Sequence, residues 1–259
     1  MIQIQRHSWI LGYLQEHEIL SLRDGAAFLK TSVSTVRRDF DELAEQKLVK
    51  RVRGGICLER ATSIPMLPFA FREAHYSQEK LLIAQEAAGL IKPHDVLFVD
   101  GGTTTFHLAD HLPDIPLSLI TNSTFLATAL EQDKHVDRTK IEIFLTGGYL
   151  HPNSGFLVGP SAKANLIQYH ANWAFLSVNG ITERGISHTS EWVADVELAM
   201  MDNADKVVIL ADHSKIGRPA RRQSCELERI HLLITDQWPD NEPVLRRFKE
   251  IGVEVIVVG

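Results

Sequence analysis

Five short polar clusters each stand directly behind an apolar run: Asp100-Gly-Gly-Thr-Thr-Thr105, Thr121-Asn-Ser123, Thr146-Gly-Gly148, Asn179-Gly180 and Ala211-Asp-His-Ser-Lys215. A loop such as Gly101-Gly102-Thr103-Thr104, leading into a helix, can cradle an anion with its backbone N–H groups and hydroxyls. Lys215 adds a point charge, and Asp100 or Asp212 can bind hydroxyl groups. A phosphorylated polyol would use all of these together. Any one cluster alone is ordinary turn chemistry, because Gly, Asn, Asp and Thr are the residues that end strands. Five on one rim, one of them carrying a lysine, favour a ligand site.

A second set of residues is basic. Arg37 and Arg38, beside Ser34 and Thr35, suit guanine edges or phosphates when a helix carries them into a major groove. Arg51 and Arg53 follow in a short hairpin, placed for backbone or minor-groove contact. The whole chain carries −6, which as an average argues against nucleic acid. Residues 1–60, however, hold 10 Lys+Arg against 8 Asp+Glu, and the remainder 17 against 25. A local basic patch governs phosphate contact more than the chain total does.

Other features carry less. His107 and His111 stand four apart, the spacing of paired metal ligands on a helix, but no third ligand accompanies them and no metal is expected. Cys57 and Cys225 form no C-x-x-C pair, which argues against a disulfide framework and fits a reducing cytoplasm. A nucleophile elbow, a Walker lysine motif and a dinucleotide fingerprint are all missing, so no cofactor is expected. Trp173, Trp192 and Trp238 read as packing residues. The opening Met1–His7 has no signal-peptide pattern, and no apolar run approaches the roughly 20 residues of a membrane span.

The elements that must position these residues follow from periodicity. Helices are predicted over 6–17, with Ile10, Leu11 and Leu14, and over 22–29. A third, over 33–46, is capped by Ser32 and turns Val33, Val36, Phe40 and Leu43 to one buried face. Residues 48–58 read as two short strands joined at Gly54-Gly55. Three helices and a hairpin make a winged helix-turn-helix. Residues 62–69, with Pro65 and Pro68, resemble a linker, and a helix resumes over 78–91. Seven strands are then predicted at 96–99, 117–120, 141–145, 174–178, 207–210, 232–234 and 253–258. Helices at 105–112, 125–130, 161–169, 193–202 and 244–251 alternate with them. That order predicts a layered α/β domain with a mainly parallel sheet, whose strands are covered on both faces. The expected domains are 1–58 (winged helix-turn-helix), 59–77 (linker) and 78–259 (α/β).

Ser32-Val-Ser-Thr35-Val-Arg37-Arg38-Asp39-Phe40, with Arg51-Val-Arg-Gly54-Gly55 behind it, resembles the amino-terminal signature of the deoxyribose-operon-repressor (DeoR) family. Asp100-Gly-Gly-Thr-Thr, Ile120-Thr-Asn-Ser, Leu145-Thr-Gly-Gly and Leu210-Ala-Asp-His-Ser-Lys-Ile-Gly217 resemble that family's sensor motifs, in the same order. The resemblance implies a DNA-binding repressor of carbohydrate-catabolism genes, modulated by a phosphorylated sugar, with a sensor fold similar to ribose-5-phosphate isomerase. Carried over by motif, Thr103 and Thr104 hold phosphate. Asp100, Gly102, Thr121, Asn122, Gly147, Gly148, Asp212 and Lys215 surround the ligand. Gly25 and Thr31 depart from the family's usual leucine and valine, which weakens the expected packing of the second helix.

The expected partners are double-stranded operator DNA and a phosphorylated sugar. A homodimer or higher homo-oligomer is expected, because paired half-sites need two reading heads. The alternative function is an isomerase-like enzyme with an accessory winged helix, with Asp100, Asp212 and Lys215 as acid, base and electrophile.

Overall fold

In the computed structural model, which describes residues 2–59, 67–133, 137 and 140–259, two serines start helices in the same way. Ser21 and Ser32 each accept a hydrogen bond from the backbone N–H three residues on, at 3.1 Å. This satisfies an amide that the first turn otherwise leaves open. The helices they cap follow α1 (Gln3–Glu16) and are α2 (Leu22–Phe28) and α3 (Val33–Glu45). Strands β1 (Val49–Val52) and β2 (Gly55–Leu58) pair antiparallel, and α4 (Phe69–Ala74) closes a unit spanning Met1–Ser77.

Ile10, Leu11, Leu14, Leu20, Leu29, Val36, Phe40, Leu43, Val49 and Ile56 form the core of this unit. Val33 does not join them. At the first position of α3 it projects past the core and stays 43% exposed. Gly25 is buried, and a Cβ there would lie 3.0 Å from a Val36 methyl. The small residue expected to loosen the second helix instead lets α2 approach α3 closely. The two hairpin glycines have different reasons. Gly54 turns the chain at φ +99°, and Gly55 lies where a Cβ would meet the Leu20 carbonyl at 2.0 Å. That contact lets Leu20 and Ile56 exchange two 3.0 Å backbone hydrogen bonds.

The stretch 59–77 is structured in part. Residues 60–66 of the expected linker lie outside the described residues, but α4 packs on α1. Ser8 donates to the Phe71 carbonyl at 2.7 Å, and the His75 ring lies against Gly12.

A buried carboxylate ties α1 to α3. Asp39, 1% exposed, accepts from Arg6 Nε at 2.7 Å and Nη2 at 2.8 Å, and faces His7 Nε2 at 3.3 Å. It fixes the helix that carries Arg37 and Arg38.

The second unit, Gln78–Gly259, opens with α5 (Ser77–Ala88). Then follow β3 (Val96–Val99), the single turn α6 (Thr103–Phe106), β4 (Leu117–Thr121), α7 (Thr124–Gln132) and β5 (Ile141–Leu145). A small hairpin, β6 (Tyr149–Leu150) and β7 (Leu157–Val158), leads to α8 (Pro160–Leu166) and β8 (Ala171–Leu176). The chain continues through β9 (Gly180–Thr182), β10 (Gly185–His188), α9 (Glu191–Asp202), β11 (Ala204–Leu210) and β12 (Arg222–Cys225). It ends with β13 (Leu232–Asp236), α10 (Glu242–Glu250) and β14 (Glu254–Val258).

All seven expected strands enter one wholly parallel sheet, ordered β14-β13-β11-β8-β3-β4-β5. Leu97, Val99, Leu119, Phe175, Val208 and Ile234 pack with Ile83, Ala84 and Ala87 of α5 and with Leu126 and Leu130 of α7. The alternate residues Phe98, Ile120, Ala174, Ile209 and Leu233 are equally buried, so both faces are covered, with α9 against β8 and β11. Alternation along a strand requires this two-sided covering when every residue is apolar. The antiparallel sheet β12-β10-β9 and the β6–β7 hairpin were not expected, since their strands of two to four residues are too short to show a period.

Replacing Asp39 with alanine should cost about 3–5 kcal/mol, because it strips a mostly buried guanidinium of its partner. Denaturant unfolding of the full chain, followed by a probe in α1 such as Trp9, would show the loss as an earlier midpoint. An unchanged midpoint would mean that the pair does not hold α1 to α3.

Candidate functional site

The DNA-type residues lie on one side of the first unit. Ser34, Arg37 and Arg38 are exposed on α3 opposite Val36, Phe40 and Leu43, and Thr35 is half-buried. The Ser34 and Thr35 hydroxyls each lie 2.8 Å from Ser32 Oγ, so both take part in the cap. Arg53 is exposed at the hairpin tip. Arg51 turns back on α3, where it pairs with Asp41, donates to the Arg37 carbonyl at 3.2 Å, and lies 5.5 Å from the Phe40 ring centroid. It braces the hairpin against the helix.

In the second unit four of the polar clusters stand at the carboxyl ends of strands of the parallel sheet, while Asn179-Gly180 lies beyond the end of β8, with Gly180 opening β9. From β3 the sequence order of strands runs outward in both directions, through β4 to β5 and through β8 to β11. The change of direction falls between β3 and β8, and in open α/β sheets that crevice is where ligands bind. Asp100 and the Gly101–Thr104 loop leave β3 here, and Ser177 leaves β8 opposite them. A Cβ on Gly102 would meet Ser177 Oγ at 1.8 Å, so the loop and the neighbouring strand end are in close contact.

Asp100, 1% exposed, holds this junction together. Its Oδ1 accepts from Gly102 N–H at 3.2 Å and Thr105 Oγ1 at 2.6 Å, and its Oδ2 accepts from Ser177 Oγ at 2.7 Å. The helix behind the loop is one turn followed by a 3-10 turn (His107–Asp110), and it starts at Thr103 rather than at the expected Thr105. So short a helix contributes little dipole, so the groups here able to hold an anion are the loop amides and the Thr103 and Thr104 hydroxyls.

Next along the rim, Thr121 and Asn122 end β4. Thr121 Oγ1 accepts from Ser123 N–H at 3.0 Å. The Asn122 side chain is buried, and neither its Oδ1 nor its Nδ2 has a hydrogen-bond partner. Such a group costs about 1–3 kcal/mol, which a ligand that paired it would recover. Gly147 and Gly148 follow β5 at φ +64° and +112°. The chain beyond them returns Phe156 against Gly101.

On the other side of the crevice, Asp212 and Lys215 follow β11. Asp212 Oδ1 accepts from Ser214 N–H at 3.0 Å, and its Oδ2 lies 3.8 Å from Lys215 Nζ. Burial alone would raise its pKa, but the charges of Lys215 and Lys80 hold the carboxyl well below its ordinary range. The adjacent His213 lies with Nδ1 2.5 Å from Asp236 Oδ2. Burial opposes its charge, yet the Asp236 hydrogen bond outweighs that and raises the imidazole above its ordinary value. Its ring stacks on Trp238 at 4.4 Å, so this half-exposed tryptophan covers a site residue rather than filling the core. Trp192 is also outside the core, 53% exposed on the first turn of α9.

The rim is wide. At roughly 4.8 Å per strand, the ends of β5 and β11 are about 19 Å apart. The loops that carry Asp100, Thr103, Thr104, Asn122, Asp212 and Lys215 follow β3, β4 and β11, nearer the crevice than the loop after β5 that carries Gly147 and Gly148.

The sequence reading missed Lys80, Ser177, His188 and Glu197. Lys80 lies on the stripe of Ile83, Ala84 and Ala87, and Glu197 on that of Val193, Val196 and Met200. An ionisable residue inside an apolar helical stripe was the available signal. Ser177 and His188 lie in the loop after β8 and in a short strand, where no period marks them.

Comparison with known proteins matches both units. The model of the DeoR-like helix-turn-helix domain matches residues 6–62, and that of the DeoR C terminal sensor domain matches residues 75–237. The HTH-type transcriptional repressor GlcR of Bacillus subtilis is 36% identical over 257 residues, 99% of this chain and 97% of that protein. The HTH-type transcriptional regulator IolR of the same organism is 31% identical, over 89% of this chain and 90% of that one. The HTH-type transcriptional regulator UlaR of Escherichia coli is 28% identical over the full length of both. Among solved structures, ribose 5-phosphate isomerase A from Methanocaldococcus jannaschii aligns with TM-score 0.39 and 19% identity over 54% of each chain.

Asn122→Ala should separate binding from stability. Its amide makes no hydrogen bond to lose, so the unfolding midpoint should shift by less than about 1 kcal/mol equivalent. Affinity for the crevice's ligand should fall at least tenfold. A marked loss of stability with unchanged ligand affinity would place Asn122 in the framework instead.

Proposed function

As a member of the DeoR family, this chain is a DNA-binding transcription regulator, and we propose that it represses carbohydrate-catabolism genes under the control of a phosphorylated sugar bound at the β3–β8 crevice. What supports the sensor half is that a glycine–threonine loop, the buried Asn122 amide without a partner, and Lys215 all follow strands of the one parallel sheet. Phosphate would take the loop amides with the Thr103 and Thr104 hydroxyls. Hydroxyls of the sugar would pair with Asn122 and Asp212, and Lys215 would supply charge. Thr121 and Gly102 shape the loops, and Gly147 and Gly148 act through the segment that returns Phe156.

Turnover is disfavoured by the carboxylates themselves. Asp100 is already occupied by three donors, and Asp212, with its depressed pKa, is too weak a base for proton abstraction at neutral pH. The site is built to hold rather than to transform. Binding and calorimetric screening against a panel of aldose and ketose phosphates should return a ligand that stays chemically unchanged. Its addition should alter the chain's affinity for promoter DNA, since an effector acts only through its differential affinity for two states. Interconversion of the sugar on an enzymatic timescale would reverse this reading.

For the DNA-reading half, α3 enters the major groove. Arg37 and Arg38 meet bases and phosphates, Arg53 meets the backbone from the hairpin, and Ser34 and Thr35 contact the groove wall. Arg51 reaches phosphate only by exchanging it for Asp41. Two chains are needed to cover paired half-sites. Arg37→Ala should cost about 1–3 kcal/mol of operator affinity at fixed salt if the residue reads a base. A uniform loss across all sequences, with a salt slope smaller by about one, would make Arg37 a phosphate contact instead.

A further inference from the structure

The turn that carries Lys215 is held from outside itself. Within it, Asp212 Oδ1 accepts from Ser214 N–H at 3.0 Å, and the Lys215 N–H reaches the Asp212 carbonyl at 3.0 Å. These two bonds already close the turn. Yet His213, 6% exposed, is also held at four points by residues 236–241, at and beyond the end of β13. Asp236 accepts from the His213 N–H at 2.6 Å with Oδ1, and from the ring Nδ1 at 2.5 Å with Oδ2. A carboxylate only accepts, so Nδ1 carries the hydrogen of that bond. Trp238 lies flat on the imidazole, with 4.4 Å between centroids and 11° between planes. Asn241 stands at the N-cap of α10, where such a side chain usually accepts from the first turn. Here it makes no cap and donates instead to the His213 carbonyl at 2.8 Å.

We propose that His213 is a positioning residue for Lys215: clamped by Asp236, Trp238 and Asn241, it fixes the place of the Asp212–Lys215 turn on the rim and so aims the lysine charge at an anionic ligand. β11 and β13 are neighbours in the sheet, and the clamp ties their two ends together beyond the ladder that joins them. Lys215 lies two residues from the clamped ring. Its Nζ donates to Ser214 Oγ at 2.8 Å and stands 3.8 Å from Asp212 Oδ2, with the side chain 26% exposed. A lysine is a point charge on a flexible stem, so what it does for a ligand depends on where its turn is held. An apolar side chain would fill the buried space of His213 without needing partners. A hydrogen-bonded ring adds direction, because each bond weakens steeply off its line.

The proposal rests on the effector reading of the crevice, and two measurements on the full chain keep the two apart. The first is hydrogen exchange of the peptide covering residues 212–216 in wild type, His213→Ala and His213→Asn. Exchange should rise about tenfold in the alanine variant, through loss of the clamp, and return most of the way in the asparagine variant, whose amide N–H can replace the Nδ1 donor. Trp238→Ala, which removes only a half-exposed ring, should raise exchange about threefold, and it takes the place of His213→Ala in both measurements if that variant does not fold. Unchanged exchange would overturn the positioning role. The second is binding of inorganic phosphate to wild type, His213→Ala, Lys215→Gln and the double variant. His213→Ala should weaken phosphate about fivefold alone and by nothing further once Lys215 is replaced, because a residue acting through the lysine has no effect without it. An equal loss in both backgrounds would make His213 part of the general framework and overturn the proposal. Wild-type affinity in His213→Ala would overturn it too, as would phosphate binding indifferent to Lys215→Gln. If wild type takes up no phosphate while exchange behaves as expected, the effector reading of the crevice fails and the positioning of the Lys215 turn by His213 stands.

Discussion

A buried carboxylate, Asp100, sits at the one place in the sheet where strand order reverses, and the surrounding structure is arranged to keep it there. Its acceptors hold the amide of Gly102, the hydroxyl of Thr105 and the hydroxyl of Ser177. It therefore binds together the ends of the two central strands and the loop between them. Burying a carboxyl is tolerable only when its oxygens are hydrogen-bonded, and a loop of Gly and Thr is a dense source of donors. The same loop carries the further hydroxyls of Thr103 and Thr104.

The first unit solves a similar problem with Asp39. That carboxylate lies inside α3, accepts two bonds from Arg6, and sets the angle of the helix whose exposed side carries Arg37 and Arg38. In both units a buried aspartate lies beside the candidate binding residues, and a partner from a distant part of the chain, Arg6 for Asp39 and Ser177 for Asp100, holds it. In the first unit this leaves Arg37 and Arg38 exposed on a helix whose position is fixed.

The carboxyl edge of the second unit is electrostatically divided. On the β11 side, Asp212 is ionised under the charges of Lys215 and Lys80, and His213 is held toward its charged form by Asp236. Behind the β3 side, burial raises Glu197 well above its ordinary value and lowers His188 to about 4.

The seven strands, their common direction, the capped α3 and the position of four of the five polar clusters at a strand end were legible in the sequence. Those features depend on local periodicity and on turn residues that act within a few positions. The family signatures were legible for the same reason, since they are short and contiguous. Only the tertiary structure decided which strands are neighbours, and therefore that Asp100 faces Ser177 while Gly147 stands far from Lys215. It alone turned Arg51 onto Asp41, exposed Val33, and converted Gly25 from a weakness into a close approach. It also brought Lys80, His188 and Glu197 to the site from positions that read as helix core or as short strands without a period. A charge buried among apolar residues is stable only beside a partner, and that partner lies tens of residues away, where no local pattern can name it.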